Sequence, residues 1–179
     1  MQSSLLVMTI IGLDRSGLVD SVASVVAAHG GNWLESRMSR LGGHFAGILR
    51  VELPRDREAA LTESLRSLAS QGLTVVVHPD ARSNAATQEP LCILEIMGQD
   101  RPGIVRDISQ ALARRQVNVE ELSTECASAA MSGETVFKAR AIVKLPPGCD
   151  RAELSRELEK IGEDLIVEVT LQPLAKTSF

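Results

Sequence analysis

The stretch Gly98-Gln99-Asp100-Arg101-Pro102-Gly103-Ile104-Val105 decides the reading, because Gly12-Leu13-Asp14-Arg15-Ser16-Gly17-Leu18-Val19 echoes it. Each copy follows an apolar run of strand length and opens a run with helical spacing. The register is constant: residues 12 and 98, 14 and 100, and 17 and 103 lie 86 apart, as do Asn32 and Asn118, and Glu35 and Glu121. A strand, loop, helix and downstream asparagine repeated in fixed register describe an internal duplication. The period is domain-sized, so the 179 residues read as two domains and not as a solenoid.

Outward from the first loop, residues 5–11 form a nearly continuous apolar run, of the kind buried on a sheet. Leu18, Val22, Val25 and His29 fall on one helical stripe, widened by Val19 and Val26. His29-Gly30-Gly31 stops that helix. Asn32 begins a segment reaching Leu41, Gly42-Gly43 is a hairpin signal, and residues 45–53 alternate as a strand, although Ile48 breaks the polar side. Pro54 ends it, Leu61, Leu65 and Leu68 mark a second helix, and residues 73–77 a β-branched strand. The order is βαββαβ, the ferredoxin-like pattern, with antiparallel strands and the helices on one face.

Residues 79–90 are small and polar without periodicity and read as a linker. The second copy then repeats the order. Residues 91–97 form a strand, Ile104, Ile108, Ala111 and Leu112 a helical stripe, residues 118–127 an extended segment and residues 137–145 an alternating strand. Leu154, Leu158 and Ile161 mark the last helix and residues 165–171 the last strand. Extra residues in this copy fall at 128–133, a hairpin tip where an insertion leaves the sheet undisturbed. The predicted organisation is an α+β chain with domains at 1–78 and 91–173 and a tail at 174–179.

Hydrophobic residues make up 44% and aromatics only 2%, so the cores are aliphatic and stacking platforms for single-stranded nucleic acid are missing. A net charge of −4 and a pI near 5.4 argue against direct binding to a phosphate backbone. Cys92, Cys126 and Cys149 are far apart and make no metal-ligand spacing, which points to reduced thiols and no metal. The opening residues carry no basic segment before their apolar run, and no stretch approaches the roughly 20 apolar residues that span a bilayer. The expectation is a cytoplasmic protein that does not engage a membrane.

A glycine-flanked loop entering a helix presents backbone amides and the positive end of the helix dipole, which suits an anion. The loop lacks the spacing of a phosphate-binding motif, and its aspartate would repel a dianion. A free amino acid fits better. Its carboxylate would face the amides at Gly17 or Gly103, its ammonium Asp14 or Asp100, and Asn32 or Asn118 would add an amide. The plainer reading is that the aspartate is an N-cap, Pro102 a first-turn residue, the glycines packing devices and the asparagines turn residues.

At these residues the chain resembles the ACT domain, a small-molecule-sensing βαββαβ module, in two tandem copies. The resemblance rests on Asp-Arg-Pro-Gly-Ile-Val at 100–105, Val-Asn-Val-Glu-Glu-Leu at 117–122 and Met-Ser-Gly-Glu-Thr-Val-Phe at 131–137, with their counterparts at 14–19 and 35–47. Within that superfamily it is similar to the regulators typified by the glycine cleavage system transcriptional repressor. The resemblance implies amino-acid binding between paired ACT domains, with a ligand of the glycine or serine class. It points to Gly12, Asp14, Gly17 and Asn32 in the first copy and Gly98, Asp100, Gly103 and Asn118 in the second. The first copy departs from the pattern, with Ser16 in place of proline and Gly30-Gly31 ahead of its asparagine, which favours the second as a working site. The resemblance also implies action through a protein partner such as a DNA-binding activator, with no DNA-reading helix of its own.

An enzyme is the rival from another class, and Cys92, Cys126, His29, His44 and His78 are the available nucleophiles and bases. None sits in a spacing that implies a triad, so no catalytic residue and no cofactor is assigned. Cys92 alternates into a strand and reads as a small buried hydrophobe. A third alternative is an interaction module without ligand that regulates an enzyme. Exposed edge strands favour a homo-oligomer formed through sheet or helix faces.

Overall fold

In the computed structural model, the apolar run at residues 5–11 becomes the middle of β1 (Ser3–Leu13), and it is buried on one face only. Leu6, Met8 and Ile10 point into a core, whereas Leu5, Ile11 and Leu13 are exposed. Both helices of the unit lie on one side of its sheet, so alternate residues of β1 reach water whatever their polarity.

The structure describes residues 2–80, 89–128 and 135–174. Its contacts divide the chain into two units, 1–85 and 86–179, and each is described by itself. In the first, β1 is followed by α1 (Leu18–Ala28), β2 (Asn32–Leu41), β3 (His44–Pro54), α2 (Glu58–Ser67) and β4 (Leu73–Pro79). The strands pair antiparallel in the order β2-β3-β1-β4. The second unit repeats this with β5 (Leu91–Gln99), α3 (Ile104–Arg114), β6 (Asn118–Ser128), β7 (Thr135–Lys144), α4 (Arg151–Leu165) and β8 (Val167–Pro173), ordered β6-β7-β5-β8. The ferredoxin-like βαββαβ architecture is therefore present twice. Even the irregularities repeat, since the register of β2 shifts between Trp33 and Glu35 and that of β6 between Val119 and Glu121.

The cores are aliphatic, as the shortage of aromatics requires. Leu49, Val51 and Leu53 of β3 and Leu18, Val22 and Val26 of α1 meet Leu61 and Leu65 of α2 over the buried face of β1. In the second unit Ile104, Ile108, Ala111 and Leu112, the stripe read for α3, are all buried, with Leu154 and Leu158 of α4 and Cys92, Leu94 and Ile96 of β5. Val19, read as widening the α1 stripe, is exposed instead.

Polar contacts fix the helices to one another. His29, at the end of α1, donates from Nδ1 to the Val25 carbonyl at 2.8 Å and accepts at Nε2 from Ser64 of α2 at 3.2 Å. Arg115, after α3, donates to Glu157 at 2.8 Å and Glu153 at 3.2 Å on α4, and these carboxylates raise its pKa. Within the linker read at 79–90, Pro79 is the last residue of β4, and Asp80 and Glu89 pair with side chains of the sheets. Arg50 pairs with Asp80 at 2.5 Å, and Lys144 with Glu89 at 3.1 Å. The rest of that linker, the hairpin tip at 129–134 and the tail at 175–179 lie outside the described residues.

Candidate functional site

The duplicated loop is shaped by its two glycines in different ways. Gly12 and Gly98 sit in the last turn of pleat of β1 and β5, where the neighbouring strand presses on them. A Cβ at Gly12 would lie 2.6 Å from the Gly72 carbonyl oxygen, and one at Gly98 2.6 Å from that of Ile166. Gly17 and Gly103 are the N-caps of α1 and α3, with φ of 88° and 105°, backbone that L side chains rarely adopt. Both reach the loop for backbone reasons and bring no functional group.

The aspartates are not caps. No side chain caps α1 or α3, whereas Asp150 accepts from the amides of Ala152 and Glu153 at the start of α4. The plainer reading of Asp14 and Asp100 therefore loses its support, and the first-turn amides of α1 and α3 have no side-chain acceptor. Each aspartate instead hangs from the hairpin beside it by its backbone: Asp14 N donates to the Gly43 carbonyl at 2.9 Å and Asp100 N to that of Thr135 at 3.0 Å.

The two carboxylates meet different neighbours. Arg40 of β2 pairs with Asp14 through Nε at 2.5 Å. The position 86 residues later is Cys126, whose thiol is hydrogen-bonded to Asp100. Desolvation first, then the Asp100 charge and that hydrogen bond, push the Cys126 thiol up. Among the described residues no cation pairs with Asp100. The substitution was visible in the duplicated register, but comparing only shared residues passes over it.

The asparagines stand elsewhere. Asn32 pairs with Glu52, which pairs with Leu5, and Asn118 pairs with Lys144, which pairs with Leu91. Each is thus at the opposite end of its sheet from the aspartate. Taking about 3.4 Å per residue over 91–100, Asn118 and Asp100 are on the order of 30 Å apart. The structure brings Gly98, Asp100 and Gly103 together, and likewise Gly12, Asp14 and Gly17, but leaves Asn32 and Asn118 out of both groups. Asn118 donates to Glu120 at 2.7 Å.

The candidate catalytic groups are scattered. His29 is held between α1 and α2, His44 donates to the Gly42 carbonyl at 3.3 Å, and Cys92 is buried with its thiol pKa raised by that burial. Among the described residues no group of three or more His, Cys, Asp or Glu is placed to hold a metal, and no helix is long and apolar enough to cross a membrane.

Comparison with known proteins agrees with this duplication. Family models of the ACT domain match residues 4–78 and 93–138. A UPF0237 protein of Methanocaldococcus jannaschii is 35% identical over 81 residues, covering 45% of this chain and 83% of the relative. A UPF0237 protein of Methanopyrus kandleri is 32% identical, with 45% and 83% covered. Among solved structures, a protein of unknown function from Galdieria sulphuraria superposes with a TM-score of 0.87 at 27% identity, over 97% of this chain and all of that one. A protein provisionally assigned as a glycine cleavage system transcriptional repressor superposes at 0.71 with 20% identity, over 97% and 99%, and shares the fold.

Proposed function

This chain belongs to the ACT-domain family, in two copies, and from that we propose that it is an amino-acid-sensing regulatory protein. Its ligand is a small amino acid of the glycine or serine class. It acts on transcription in the manner of a glycine cleavage repressor, through a DNA-binding protein partner and without touching DNA itself. The observation that carries the reading is Asp100: a carboxylate unpaired with any cation among the described residues, beside the uncapped start of α3. The ligand ammonium takes the carboxylate and the ligand carboxylate takes the amides. Because Asn118 is at the far end of the sheet, it joins such a site only when supplied by another ACT copy.

A specific observation favours a second role for the first unit. Arg40 already occupies Asp14 in the place a ligand ammonium would take. That copy is read as an interaction module without ligand, which gives the partner contact to the first unit and sensing to the second. The acidic balance of the chain supports a protein partner over a nucleic acid.

Thermal unfolding of the full chain against the twenty amino acids tests the sensing role. A ligand at about 100 times its dissociation constant stabilises by about 2.7 kcal/mol. Asp100→Ala and Asn118→Ala each remove that shift and leave the unliganded midpoint in place. Absence of any shift in the wild type would leave only the interaction module. For the transcriptional role the purified chain alone gives no gel shift at moderate salt, and a tight sequence-specific shift would refute it.

A further inference from the structure

The helices α2 and α4 align in fixed register, because Leu61 and Leu65 stand 93 residues before Leu154 and Leu158, and all four are buried. Their contacts to the preceding helix agree, since Ser64 meets His29 and Glu157, 93 residues on, meets Arg115. Away from the buried leucines the same register inverts the charge. Glu58, Glu63 and Arg66 of α2 are matched by Arg151, Arg156 and Glu159 of α4. The small residues between them keep their type, Ala59 and Thr62 against Ala152 and Ser155. A unit that folds with acids at these places shows that the fold does not require the arginines.

In the second unit these residues border a cavity. Arg151, Ala152, Ser155, Arg156 and Glu159 line it together with Leu171 of β8, and its volume is about 310 Å³, at the lower end of the ~300–1,000 Å³ of small-ligand pockets. Among the described residues neither Arg151 nor Arg156 has a carboxylate partner, whereas Arg115 is held by Glu153 and Glu157. The acids beside them are engaged: Glu159 accepts from Ser155 at 2.8 Å, and Asp150 accepts from the first amides of α4. The positive end of the helix is thus already met, and the attraction for an anion comes from the two guanidinium groups. We propose that this cavity binds a small phosphate monoester. A guanidinium presents a planar fork of donors that matches phosphate oxygens in pairs, and two of them suit a group that carries about −1.5 to −2 charges at pH 7. Glu159 on the same wall repels every anion, and a single carboxylate draws less from the arginine pair to offset that repulsion than a dianion does. Ala152 and Leu171 give apolar contact to a short carbon skeleton.

The cavity shares no residue with the amino-acid site proposed above, so the two readings fail separately. Calorimetric titration of the full chain with glycerol phosphate tests it, with inorganic phosphate and glycerol as the two halves of that probe. The wild type gives saturable heat with glycerol phosphate, weaker binding of inorganic phosphate and no heat of binding with glycerol. Affinity for glycerol phosphate falls between about pH 7.5 and about pH 5, as the ester takes up its second proton. Arg151→Glu and Arg156→Glu copy the acids that the first unit carries at the matching positions. Each weakens binding at least about tenfold while keeping the circular dichroism and any response of the wild type to glycine. Should either not fold, Arg151→Gln and Arg156→Gln give a loss in the same direction. A wild type without saturable heat from glycerol phosphate up to about 10 mM, or binding that the folded variants leave unchanged, overturns the proposal.

Discussion

An alanine at position 98 would place its methyl carbon 2.6 Å from the Ile166 carbonyl oxygen and 2.7 Å from Val167 Cα, both backbone atoms with little freedom to retreat. Overpacking of that kind costs about 1–3 kcal/mol. At position 103 the nearest atoms to such a carbon are side-chain atoms of Arg106 and Asp107 at 3.5 Å, and the obstacle is the φ of 105°. Left-handed backbone costs an L residue about 1–2 kcal/mol, and asparagine tolerates it best. Urea unfolding separates the two causes: Gly103→Asn is milder than Gly103→Ala, while Gly98→Asn is worse than Gly98→Ala. Asp100 offers a second residue-level check. Asp100→Asn removes the charge that helps hold the Cys126 thiol up, so the thiol pKa falls, the thiolate fraction near pH 8 rises, and alkylation by iodoacetamide quickens. An unchanged rate would mean that the carboxylate does not govern this thiol.

At the scale of elements, α4 shows what a capping aspartate does in this chain, and α1 and α3 show what the loop aspartates do not. Asp150→Ala forfeits acceptors for Ala152 N and Glu153 N and costs about 1 kcal/mol in urea unfolding of the second unit. Asp100→Ala removes no cap and stays within about 0.5 kcal/mol of the wild type. The helices were legible because Leu61, Leu65 and Leu68, or Ile104, Ile108, Ala111 and Leu112, recur at a spacing that only a helix puts on one side. The one-sided burial of β1 was not legible in the run itself, which looks the same whether helices cover one face of a sheet or both, and follows only from the βαββαβ order with its helices on one face. The aspartate before each helix misled for a related reason. Capping depends on which residue first takes helical torsions, and here a glycine at positive φ, three residues on, takes the cap position.

For the molecule as a whole, the constant register announced the duplication. Within that register one change in residue type bears on the proposed site: Arg40 stands against Cys126. The loop with its glycines and aspartate, the local half of each proposed site, was readable along the chain. The distance of the asparagine from that loop follows from the order of elements and not from local spacing, because the helix carries the chain back and the next strand, parallel to the first, starts at the opposite end of the sheet. The two copies thus share a fold and diverge in what they leave open, one with its carboxylate closed by an arginine, the other with its carboxylate clear of any cation among the described residues. Calorimetric titration of the full chain with glycine and with serine, on the wild type, Asp14→Ala and Asp100→Ala, asks whether that divergence is functional. Saturable heat from the wild type for at least one of the two, retained in Asp14→Ala and lost in Asp100→Ala, is the predicted result; no saturable heat from the wild type with either, or undiminished binding by Asp100→Ala, would contradict the account.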